Sequence, residues 1–123
     1  IEAYGGPIPF YRDHYINSVC PLGFLRKNAK HNWVNCNYYD FPELYRAVKP
    51  YCAEKLRQQL DFGINRSRVI ILGKKNADFF IPLNDEFGFF EKIEVLPHPR
   101  YIVQYRATFM EQYVREFIQL LKS

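Results

Sequence analysis

The run Val69-Ile70-Ile71-Leu72, set between charged residues and closed by Gly73, decides the fold class. Four apolar, mostly β-branched residues in succession suit a strand covered on both faces, as in a parallel sheet. A strand with one wet face would alternate. Downstream, Asn76 is placed to cap a short helix that Pro82 should break. Ile93-Glu94-Val95-Leu96 is a second strand, stopped by Pro97-His98-Pro99. From Ala107 to Leu121 a last helix is expected to bury Phe109, Met110, Tyr113, Val114, Phe117, Ile118 and Leu121. Upstream, Asp40 as N-cap, Pro42 in the first turn and Glu43 in a capping-box position start another helix. Leu44, Val48, Cys52, Leu56 and Leu60 give it one apolar stripe. Pro50 should kink or split that helix, and Gly63 should end it.

The first forty residues read as mostly loop. Gly5-Gly6-Pro7-Ile8-Pro9 is expected to be irregular, Phe10 to His14 a helical turn, and Tyr15-Ile16-Asn17-Ser18-Val19 a short strand stopped by Pro21 and Gly23. Phe24 to Asp40 reads as a polar, aromatic loop holding Asn28, Asn32, Asn35 and Asn37. Alternating strands and helices predict an α/β fold with a parallel sheet and right-handed crossovers. Residues 1–123 are expected to form one domain.

Composition narrows the class. Apolar residues make up 48% of the chain, which excludes wholesale disorder. Seventeen Lys and Arg against thirteen Asp and Glu leave +4, a mild bias toward polyanionic partners. Cys20, Cys36 and Cys52 are three, with no close pair, which argues against a disulfide framework or a four-thiolate metal site. Reduced thiols fit a soluble, cytoplasmic protein, and no apolar run approaches the ~18 residues of a membrane span. No phosphate loop, dinucleotide fingerprint or metal-ligand spacing is present, so neither cofactor nor metal is expected. The chain opens on Ile1 rather than Met and therefore reads as a piece of something longer.

In open parallel sheets, ligands bind beyond the carboxyl ends of the strands. Those ends here are Asn17-Ser18, Gly73-Lys74-Lys75 and Pro97-His98-Pro99-Arg100. Together they offer amide, hydroxyl, cation and imidazole donors with no carboxylate, which suits an anionic or carbonyl-rich ligand. His98 stands out because prolines on both sides fix its backbone. It is either an aimed donor or a turn histidine bonded to a carbonyl. Trp33 and Tyr38-Tyr39 either stack on bases or pack a loop over the core. Cys20 with His98 could form a nucleophile and base, although Cys20 is more simply a small buried side chain.

Three segments taken in order resemble the uracil-DNA glycosylase superfamily. They are Ile16-Asn17-Ser18-Val19-Cys20-Pro21-Leu22-Gly23-Phe24, Asn35-Cys36-Asn37-Tyr38-Tyr39-Asp40, and the stretch from Leu96-Pro97-His98-Pro99-Arg100 to Arg106. The bacterial relatives of single-strand-selective monofunctional uracil-DNA glycosylase are the branch they look most like. The resemblance implies a three-layer α/β/α fold with a central parallel sheet. It implies a hydrolase acting in base-excision repair, which flips deoxyuridine out of DNA and cleaves its N-glycosidic bond. By the family's pattern, His98 is the catalytic donor near uracil O2, and Asn17 or Ser18 reads the uracil amide edge. Arg100, Arg106 and Lys74 would hold DNA phosphates, and Tyr101 or Ile102 would enter the base stack. The partner implied is DNA bearing uracil or a related damaged base, bound by a monomer. The family's first motif, which bears the water-activating residue, is expected before Ile1. A relative that binds nucleic acid without hydrolysis is the alternative.

Overall fold

The computed structural model describes residues 1–123. Helix α1 (Pro7–Asp13) begins inside the stretch expected to be irregular. Prolines fit there because first-turn N–H groups lack a helical acceptor in any case. Tyr15 to Val19 is not a strand, since no backbone hydrogen bond joins it to a neighbour. A strand exists only as a member of a pair.

The expected loop from Phe24 to Asp40 instead contains an antiparallel hairpin, β1 (Phe24–Lys27) with β2 (Trp33–Cys36). Asn28 builds its turn, with Oδ1 accepting from the backbone N–H of Lys30 at 2.9 Å and of Asn32 at 3.0 Å. The asparagine density is turn chemistry.

Helix α2 (Pro42–Leu60) follows with Phe41 at the N-cap. Asp40 closes the preceding turn, accepting from the Asn37 N–H at 2.8 Å, and does not cap the helix. Val48, Cys52 and Leu56 are buried as the stripe requires, and Leu44 and Leu60 pack on the same cluster. Pro50 sits inside α2 without splitting it. The helix ends at Leu60, and Gly63 lies in the turn beyond with φ +83°.

Strand β3 (Arg68–Leu72), helix α3 (Lys74–Phe87) and strand β4 (Lys92–Leu96) form a βαβ unit. The strands pair in parallel, Val69 opposite Ile93 and Leu72 opposite Leu96. Gly73, not Asn76, stands at the N-cap of α3, and the helix runs through Pro82 to a left-handed Gly88. Ile71, with Val69 and Ile93, joins the core made by α2 and α3.

Helix α4 (Pro99–Tyr105), a 3-10 turn at Ala107–Phe109 and helix α5 (Met110–Leu121) complete the chain. The last helix buries none of its residues, and Phe109 is 50% exposed, against expectation. Met110, Tyr113, Val114, Phe117, Ile118 and Leu121 instead line an open groove of about 1820 Å³. Residues 15–19 and β3 form other parts of its wall, so β3 is not sealed on both faces. No helix is long and apolar enough to cross a membrane.

Candidate functional site

The carboxyl ends of β3 and β4 are tied together by the Gly73 N–H, which donates to the Leu96 carbonyl at 2.8 Å. Gly73 holds φ +96°, a region open to glycine, and a Cβ there would lie 3.3 Å from His98 Cβ. His98 therefore rests against bare backbone. It is the N-cap of α4, and its Nδ1 accepts from the Arg100 N–H at 3.1 Å. In the neutral imidazole this leaves the proton on Nε2. The cap fixes the tautomer and leaves Nε2–H as a donor on an exposed side chain.

A second set of contacts props this corner. Asn76 Nδ2 donates to the Leu72 carbonyl at 2.9 Å, and its Oδ1 accepts from the Tyr38 hydroxyl at 2.7 Å. Burial pushes the Tyr38 hydroxyl pKa well up, so it remains a donor at neutral pH. Tyr38 is a packing residue, 8% exposed and edge-on to Tyr39 and Phe79. Tyr39 lies further out, with Lys75 Nζ 5.6 Å from its ring centroid. The sequence reading missed the Asn76–Tyr38 link. The available signal was an asparagine one helical turn beyond the last residue of β3.

Asn17 and Ser18 are exposed on the same groove as His98. The Ser18 N–H donates to Asn17 Oδ1 at 2.8 Å, which leaves the Asn17 Nδ2 donors outward. Arg100 and Tyr101 also line the groove, Tyr101 with 47% of its surface exposed. Ile102 touches the groove but is only 4% exposed. Its side chain is packed inward, and Tyr101 is the one of the pair presented outward. Lys74 and Arg106 are not part of the groove lining. Lys74 begins α3, and Arg106 turns to Tyr113, with Nε 3.4 Å from the hydroxyl, and to the Phe109 ring. Cys20 is buried in the core beside Cys52, whose thiol is pushed up to about 12 by burial and the Cys20 contact. A buried Cys20 is not presented as a nucleophile.

Of the four cations that line the groove, Arg12 is paired with Asp13 and Lys92 with Glu94, which leaves Arg68 and Arg100 without a carboxylate partner. Asp13 is held at 2.9 Å by both Arg12 Nε and the Tyr4 hydroxyl. These bonds bring its pKa down to about 2. The arrangement can thus donate hydrogen bonds to a carbonyl-rich or anionic ligand, but it holds no carboxylate free to act as a base.

The uracil DNA glycosylase superfamily model matches residues 6–122. No curated protein matches. The crystal structure of wild-type Pedobacter heparinus SMUG2 is 39% identical, with a TM-score of 0.93, covering 99% of this chain and 53% of that one. The α/β fold is therefore that of SMUG2, although the chain spans about half the length of that relative. With the family model matched over nearly all its residues, the chain belongs to the uracil-DNA glycosylase superfamily.

Proposed function

We propose that this chain carries the base-reading and leaving-group part of a uracil-DNA glycosylase site. The observation that supports it most is the His98 imidazole, backed by Gly73 and capped so that Nε2–H is free. Cleaving the glycosidic bond leaves negative charge on the uracil. A donor already placed at uracil O2 stabilises the transition state more than the ground state. Asn17 Nδ2 and the Ser18 hydroxyl are donors for the amide edge of a flipped base, while Arg100 and Tyr101 contact the strand around it. Flipping costs a few kcal/mol of unstacking, which Tyr101 could offset by filling the gap.

Activating water is a separate task, and the bonded Asp13 is unsuited to it. We read these 123 residues as one unit that binds and orients the base. The lack of a free carboxylate also favours a second reading, a relative that binds nucleic acid without hydrolysing it. Oligonucleotides containing uracil or thymine at one position separate these. The expected result is weak binding that falls with salt and prefers uracil, with little uracil released by this chain alone. Binding without preference supports the second reading. Undetectable binding at low salt contradicts both.

A further inference from the structure

The hairpin has two unlike faces. Cross-strand pairs are Phe24 with Cys36, Leu25 with Asn35, Arg26 with Val34, and Lys27 with Trp33. Side chains alternate between faces. Phe24, Val34 and Cys36 are half-buried on one, and Phe24 packs against the core. Leu25, Lys27, Trp33 and Asn35 make the outward face, where Leu25 is 60% and Trp33 65% exposed. Lys27 Nζ lies 5.2 Å from the centroid of the Trp33 ring.

Charge on the hairpin has one sign. Arg26, Lys27 and Lys30 are exposed, and no Asp or Glu occurs from Phe24 to Asn37. None of the three cations forms a salt bridge. The turn between the strands is braced by Asn28 and by His31 at φ +61°. The arm also starts at the site. Cys20 to Gly23 lead from Asn17-Ser18 into β1, and β2 runs directly into Asn37, Tyr38 and Tyr39 of the groove wall. Four residues of strand carry its tip about 13 Å from that rim.

An exposed indole beside unpaired cations, with no carboxylate nearby, fits a chain of aromatic bases and phosphates. We propose that the outward face of this hairpin, centred on Trp33 and Lys27, is a second contact surface for single-stranded DNA. It stacks a base flanking the one read at His98, while Lys27 on that face and Lys30 in the turn meet the phosphates. The proposal rests on the reading of the groove as a DNA site, and adds to it a strand-holding arm.

Trp33 is the only tryptophan, so emission excited at the red edge, where tyrosine does not absorb, reports the hairpin. A labelled oligothymidylate of 12 nucleotides is titrated with the 123-residue chain while its anisotropy and the Trp33 emission are followed. The expected result is quenching that saturates with the anisotropy change. Trp33→Ala should weaken binding about 5- to 150-fold, the range for losing one base stack, and Trp33→Phe should retain most of it. Lys27→Ala should reduce the salt slope by about 0.7. Circular dichroism of each variant confirms folding. Anisotropy that reports binding while Trp33 emission stays constant overturns the hairpin proposal and leaves the groove reading standing. Quenching that is equal for this oligothymidylate and for one carrying a single uracil supports the hairpin and counts against the groove reading. No change in either signal at low salt overturns the hairpin proposal and counts against a DNA partner altogether.

Discussion

Gly73 and His98 are 25 positions apart, yet each explains the other. The two prolines made the fixed backbone of His98 legible in the sequence, but its neighbour was not. That contact exists because β3 and β4 pair with Leu72 opposite Leu96, which brings the two strand ends to one place. Asn76 and Tyr38 were illegible for the same reason, since their bond joins a helix to a distant loop. Gly73→Ala should cost about 1–3 kcal/mol from the backbone conformation alone. Its Cβ would also press on His98. Urea unfolding and the His98 imidazole signals in NMR check this, and unchanged stability with unmoved His98 signals would contradict it. Asn84 carries a similar duty deeper in, binding both the N–H and the C=O of Phe90 at 2.8 and 2.9 Å. Asn84→Ala should cost about 1–3 kcal/mol, because partners in a half-buried turn lose their bonds. A urea midpoint equal to that of the parent would refute the assignment.

Elements were legible where one periodicity ruled and illegible where long-range pairing or packing decided. The stripe of α2 and the apolar runs of β3 and β4 needed no tertiary knowledge. Pro82 misled because a helix-interior proline costs about 3 kcal/mol. Phe79, Phe80 and Leu83, each 1% exposed, outweigh it at about 1.5–3 kcal/mol apiece. The hairpin was hidden because its asparagines resemble loop composition. Helix α1 has its own pH dependence. Asp13 titrates at about 2 in the folded chain against ~3.9 in an unfolded one. Its depressed pKa contributes stability that is fully present above about pH 4 and is lost as pH falls toward 2. Amide exchange across Phe10 to His14 should therefore speed up over that interval while β3 stays protected. Equal acceleration in both would show that Asp13 holds nothing local.

At the scale of the whole molecule, the sequence showed that α5 has an apolar face but not what that face meets. In the structure none of its residues is buried, and its apolar side chains line the same groove as β3 and residues 15–19. Apolar surface of this extent marks a place of interaction. Asn17, Ser18, His98, Arg100 and Tyr101 are among the residues that line the same groove. The account therefore turns on His98 as a donor to the departing uracil. Single-turnover uracil release, paired with a thermal melt, by the form of the protein that turns over tests this most directly. His98→Ala should slow release by roughly 10²–10³, the cost of one preorganised donor, with DNA affinity nearly unchanged and stability lowered only by the about 0.5–2 kcal/mol of a lost N-cap. Normal release by the folded protein, accompanied by a large fall in melting temperature, would make His98 a cap for α4 and nothing more.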